Sequence, residues 1–138
     1  MKLRSIALGL ALLLPALPAC ADAVLTLDHG TVWQTAKDNQ DTEGFLQIHN
    51  TGDAPDSLTS VSCSIAASTV LADAGGKTLP SLVIPPGGTV TLSANGPHLL
   101  INDARYKVKR DGILPCAFSF TRTGSLIGYL NAVTPPHK

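Results

Sequence analysis

From residue 24 onward the chain is interrupted every few residues by Gly, Pro, Asn or Asp, and the intervals carry short runs of Val, Ile, Leu, Thr and Phe. No stretch keeps apolar residues at helical spacing for three turns, so the two-residue alternation of β-strands is the periodicity left. The runs predict strands at 24–34, 43–50, 57–65, 68–73, 80–85, 88–93, 98–101, 105–110, 114–122 and 125–133. Asn50-Thr51-Gly52-Asp53, Pro85-Pro86-Gly87-Gly88, Asn95-Gly96-Pro97, Arg110-Asp111-Gly112 and Thr123-Gly124 supply turns, each with a glycine able to take positive φ. Short strands at this density predict an all-β, two-sheet sandwich with the alternating apolar positions buried between the sheets. In Arg105-Tyr106-Lys107-Val108-Lys109-Arg110, alternation puts Arg105, Lys107 and Lys109 on one strand face and Tyr106 and Val108 on the other. This segment reads as a solvated edge guarded against strand pairing by its cations, the alternative being a docking surface for an acidic partner.

The first residues follow another logic. Met1-Lys2-Leu3-Arg4 is basic, Ile6 to Leu14 is apolar, and small residues follow through Pro18-Ala19-Cys20-Ala21-Asp22-Ala23. That layout predicts a signal peptide at 1–23, a β-sandwich domain at 24–133 and a flexible tail at 134–138. A competing route starts from Leu17-Pro18-Ala19-Cys20, which resembles a bacterial lipoprotein box with Cys20 as the lipidated residue. Membrane attachment is expected only by that route. Either route exports the chain, with the periplasm as the expected location, and the compartment is oxidising. Ten Lys and Arg balance ten Asp and Glu, which argues against nucleic acid as a partner because phosphate binding needs a concentrated basic surface.

Without the leader, Cys63 and Cys116 remain, with no C-x-x-C spacing and no nearby His. Val61, Cys63 and Ile65 share one face of their strand, and Leu114, Cys116, Phe118 and Phe120 alternate in the same way, so both sulfurs are expected to point into the core. In an oxidising compartment the pair reads as a disulfide. Buried free thiols and a metal or redox role are the alternatives.

An enzyme reading finds no support in motifs: there is no G-x-S-x-G elbow, no phosphate-cradling glycine loop, no H-E-x-x-H and no recognisable carboxylate pair. Of the four histidines, His29 reads as part of a strand irregularity at Asp28-His29-Gly30, His49 as a solvent-facing residue before a turn, and His137 as tail. His98 stands in a more specific context. Ile84-Pro85-Pro86-Gly87-Gly88-Thr89-Val90-Thr91-Leu92, followed by Asn95-Gly96-Pro97-His98-Leu99-Leu100, resembles the signature of the periplasmic copper chaperones of the PCu(A)C type, where an I-P-A-G-G-x-V-x-L stretch leads into H-x-M. Thr31-Val32-Trp33, Gly44 to Gly52, Asp56-Ser57-Leu58 and Gly124-Ser125-Leu126-Ile127 are similar to further family motifs and fall in family order. The resemblance implies a cupredoxin-like, immunoglobulin-like two-sheet sandwich that binds copper and passes it to a periplasmic copper protein or oxidase-assembly partner, for the copper centre of cytochrome c oxidase.

The family site uses two His and two Met, soft donors suited to Cu(I). Here His98 holds the third ligand position and Leu100 the fourth. Counting back by the family spacing reaches Gly76 for the second and Ile65 for the first, whereas a shortened loop aligns Thr69-Val70-Leu71-Ala72-Asp73 with the family's V-E-L-H-E and puts Ala72 first. The only methionine is Met1, inside the expected leader. Two readings follow. One is a copper chaperone with an altered site, His98 being joined by a donor such as His29, His49 or Asp73. The other is a non-metal-binding interaction or accessory module, with Leu99-Leu100 as an apolar patch for a partner.

Overall fold

In the computed structural model, which describes residues 21–136, the chain forms nine strands and no helix among the described residues. They are β1 (Leu25–Trp33), β2 (Gln40–Asn50), β3 (Asp56–Cys63), β4 (Ala66–Ala72), β5 (Leu82–Ile84), β6 (Thr89–Thr91), β7 (His98–Ala104), β8 (Ile113–Phe120) and β9 (Gly124–Val133). Along the hydrogen-bonded path the order is β4-β7-β2-β1-β9-β8-β3-β5, with β6 paired to β2. The path curls on itself, so the β4-β7-β2-β1 and β9-β8-β3-β5 halves face each other as the two layers of a cupredoxin-like sandwich. Val32, Leu46, Ile48, Leu99 and Ile101 from one half meet Leu58, Phe118 and Leu130 from the other in a single core.

One ladder joins the halves. β1 pairs antiparallel with β2 along most of its length, but only Thr31, Val32 and Trp33 also pair with β9, in parallel, opposite Asn131, Ala132 and Val133. The β1–β2 register shifts between Asp28 and Thr31, and His29 there takes a φ of 52°, so the predicted irregularity at Asp28-His29-Gly30 is a β-bulge. Gly30 is required at this point, because a Cβ would collide with the Tyr129 carbonyl oxygen.

The alternation in Leu114, Cys116, Phe118 and Phe120 is that of a strand buried on one face, and Cys63 lies directly opposite Cys116. The two form a disulfide with Cα atoms 4.1 Å apart, both residues buried. One expectation needs correction here. Residues 105–110 do not form a strand: the Arg105 N–H donates to the Ile65 carbonyl, Lys107 N–H to Asp38 Oδ1 and Val108 N–H to Thr35 Oγ1. Side chains remote in sequence occupy backbone donors that a strand neighbour would use. Consequently Val108 is buried while Tyr106 is exposed, rather than both sharing an inward face. The turn predicted at Pro85–Gly88 is present, its Gly88 N–H donating to the Pro85 carbonyl. Gly87, at φ 67°, rounds a corner that carries the chain from β5, on the edge of β3, across to β6 on β2.

Two buried polar side chains fasten the loops. Asn50 accepts from the Val24 and Gly52 N–H groups and donates to the Ala54 and Ile84 carbonyls, tying β1, the 51–54 turn and β5 together. Asp56 accepts from the Ser57, Arg122 and Thr123 N–H groups and from the Thr123 hydroxyl. Burial raises the pKa of this carboxyl, but the hydrogen bonds from Thr123, Arg122 and Ser57 outweigh it and leave the pKa below its ordinary value.

A group with a depressed folded pKa stabilises fully above its unfolded pKa, about 4 for Asp, and that stability is lost as pH falls through the lower folded value. Asp56→Asn is therefore expected to cost about 2 kcal/mol or more at neutral pH by setting amide hydrogens against backbone donors. Denaturant melts from pH 7 to pH 2 should show a shallower acid loss in the variant than in the wild type; parallel curves would remove Asp56 from the acid transition. Cys63→Ala with Cys116→Ala opens a loop of sequence separation 53. That change is expected to lower unfolding stability by about 4 kcal/mol, and thiol titration of the unfolded, unreduced wild type should find neither cysteine free.

Candidate metal centre

His98 opens β7 at the mouth of the Asn95-Gly96-Pro97 turn, where its Nδ1 lies 2.8 Å from the Gly96 carbonyl oxygen. A carbonyl can only accept, so Nδ1 carries a proton and the neutral ring keeps its lone pair on Nε2. Nε2 faces Glu43 Oε1 at 3.7 Å, too long for a hydrogen bond. The Phe45 ring stands 6.3 Å away between centroids, itself packed edge-on against Trp33 at 5.1 Å. The imidazole is almost wholly buried, whereas Glu43, which faces Nε2 from β2, is partly open to solvent.

The β4–β7 ladder shows where the candidate positions lie relative to His98. Ala72 pairs directly with His98, and Val70 with Leu100. Directly opposed residues project from the same sheet face, so Ala72 stands beside His98. Ile65 lies beyond the far end of β4, next to Arg105, about 20 Å along the hairpin. Gly76 sits in an exposed turn that Asp73 closes by accepting at Oδ1 from the Gly75 and Lys77 N–H groups. Leu100 shares the face of His98 two residues on and lines a shallow groove of about 480 Å³ with Trp33, Thr42, Glu43 and Asn102. Leu99 points the other way and is fully buried in the core, so Leu99-Leu100 is not a surface patch.

His29 and His49 are not near His98. They meet at the β1 bulge, where His29 Nδ1 lies 2.9 Å and His49 Nε2 2.8 Å from Asp28 Oδ1. His49 Nδ1 is 2.8 Å from Thr89 Oγ1 on β6, so the ring is held at both nitrogens rather than free in solvent. The hydrogen bonds from His29 and His49 lower the Asp28 pKa. His49 is four residues along β2 from Phe45, about 13 Å. His137 lies outside the described residues, as do Cys20 and most of the expected leader. Sequence reasoning missed Glu43 and Asp28; each meets its histidine through strand register, which no local motif records.

The residues around His98 do not fit a two-His, two-Met copper site. Ala72 and Leu100 carry no donor atom, no methionine occurs among the described residues, and the remaining pair is one nitrogen and one carboxylate oxygen, a harder set than Cu(I) prefers.

An all-strand sandwich carrying its histidine at the start of β7 after an I-P-x-G-G corner is the architecture of a PCuAC domain. The profile of the LpqE-like lipoprotein family matches residues 25–127, and the chain belongs to this family. Among solved structures it is similar to the apo PCuAC domain from PmoF1, with TM-score 0.73 and 25% identity over 83% of this chain and 98% of that one. The copper-bound PCuAC domain from PmoF2 has TM-score 0.71 and 19% identity, covering 83% of this chain and 98% of that one. Cu(I)-DR1885 from Deinococcus radiodurans has TM-score 0.67 and 24% identity, covering 83% and 80%. No curated protein sequence matches significantly. The fold is thus that of a copper chaperone family, and no helix among the described residues is long and apolar enough to cross a membrane.

The opposition of Ala72 and His98 makes a repair experiment interpretable. Leu100→Met is close to volume-conserving and should cost under about 1.5 kcal/mol, whereas Ala72→His enlarges a fully buried position and should cost about 1–3 kcal/mol. Cu(I) affinity, measured by chelator competition, should rise modestly in Leu100→Met and further in the double variant. No gain in either would show that the two positions do not converge on Nε2 of His98.

Proposed function

We propose that this protein is an exported, non-enzymatic copper-handling relative of the PCu(A)C chaperones whose thioether site has degenerated, leaving His98 as the residual metal-facing donor. Its setting is the periplasm, reached by the leader at 1–23 or through lipidation of Cys20, and its role belongs to copper trafficking toward the copper centre of cytochrome c oxidase. Its partner is a copper protein or an oxidase-assembly factor. The LpqE-like lipoprotein family supports export, and the copper-bound neighbours support copper as the cargo. The observation that carries the reading is the His98 imidazole, its Nδ1 pinned by Gly96 and its Nε2 directed toward Glu43, while Ala72 and Leu100 fill the neighbouring ligand positions without donors.

Such a site holds Cu(I) weakly. Glu43 is the second donor within reach of His98, in place of His29, His49 or Asp73. In competition with bicinchoninate, a Cu(I) chelator, the protein is expected to surrender its copper, and Glu43→Gln should reduce what binding there is. Retention of one full equivalent would mean that a different donor set exists and that the site has not degenerated. The second reading, an interaction module, draws on the groove in which Leu100 lies beside Trp33. It predicts no Cu(I) binding in either the wild type or Glu43→Gln.

A further inference from the structure

At the opposite end of the same face of β2, two strands bring metal-ligating atoms together and a third braces them. Asp28 and His29 come from the β1 bulge, His49 comes from β2, and Thr89 on β6 supports His49 from behind. One ligand atom from each of Asp28, His29 and His49 lies within 4.8 Å of the others. An ion with bonds of about 2.1 Å spaces its ligand atoms roughly 3–4 Å apart, so the three groups reach a common ion with only small side-chain adjustments. From this geometry we infer that Asp28, His29 and His49 form a second metal site, independent of His98, for a borderline divalent transition ion, with Cu2+ bound more tightly than Zn2+.

The choice of ion follows from the donors. Two imidazoles and one carboxylate, without sulfur, suit Cu2+ and Zn2+ and are poor ligands for soft Cu(I), and among divalent ions the same donors favour copper over zinc. Solvent completes the coordination, since the His29 side chain is 72% exposed and that of Asp28 46%. The second shell is already in place. With the neutral ring donating from Nε2 to Asp28, Nδ1 accepts from the Thr89 hydroxyl; when the metal takes Nε2, the ring proton moves to Nδ1 and is donated to Thr89 Oγ1. Thr89 thus serves either tautomer, a positioning role that a hydrophobic neighbour cannot fill. The bulge contributes as well: at φ 52° the backbone turns His29 back beside Asp28, where a regular strand would send consecutive side chains to opposite faces.

The test titrates CuCl2 into the purified native protein and follows it by electron paramagnetic resonance and calorimetry. One equivalent of Cu2+ with nitrogen hyperfine splitting is expected. His29→Asn retains a residue that tolerates positive φ, and His49→Ala removes the second imidazole; each should weaken binding at least tenfold, and the double variant should lose the signal. Thr89→Val, which touches no metal, should weaken it about tenfold. ZnCl2 should perturb the imidazole resonances of His29 and His49 at higher concentrations. A signal that survives the double variant, or that disappears in His98→Gln instead, would overturn the proposal. Loss of Cu(I) binding at His98 with this signal intact would refute only the reading of the first site.

Discussion

The Tyr129 carbonyl lies so close to the α-carbon of Gly30 that no side chain fits between them, and this approach lets β9 run beside the second half of β1. Because β1 shifts register with β2 at the same point, its first half serves one layer and its last three residues serve both. Twist increases at a bulge, and this one lies where the two layers join. The positive φ at His29 belongs to the same event. The joint between the layers and the meeting of His29, His49 and Asp28 therefore share one local cause.

The motifs that mark the chain's lineage are largely scaffold. Asn50 of the N-x-G turn satisfies four backbone groups, and Asp56 of the D-x-L stretch accepts four hydrogen bonds at the start of β3. Removing either would strand buried donors or acceptors, each costing about 1–3 kcal/mol. Positions 72 and 100 are under no such obligation. Ala72 is apolar in a fully buried place, and Leu100 lies at the groove wall.

One-sided burial made much of the architecture legible: Leu114, Cys116, Phe118 and Phe120 alternate because only one face of β8 meets the core, and the same pattern in Val61 and Cys63 anticipated the disulfide. Alternation misled at Arg105–Arg110, where the backbone is held by Asp38 and Thr35, both distant in sequence. The parallel β1–β9 ladder left no local trace, since neither strand differs in pattern from its antiparallel neighbours. His98 was legible from the corner and turn before it. Glu43 was not, because its place depends on the pairing of β2 with β7, Glu43 opposite Leu100. Likewise Asp28 and His29 are adjacent in the chain, but His49 joins them only through the β1–β2 register.

The cystine joins neighbouring strands within one layer rather than bridging the two, and the covalent ring it closes contains β4, β5, β6 and β7. His98, Ala72, Leu100 and Thr89 all lie on that ring, whereas Glu43, Asp28, His29 and His49 lie outside it on the stem that precedes Cys63. His98 faces Glu43, and His49 meets Thr89, across the boundary between ring and stem, held there by strand pairing, by the shared core and, for His49, by its hydrogen bond to Thr89. A proteolytic cut at the exposed Gly75-Gly76 turn would leave the two ends of the ring tethered through sulfur, so a nicked molecule would persist as one particle with its strands free to re-pair.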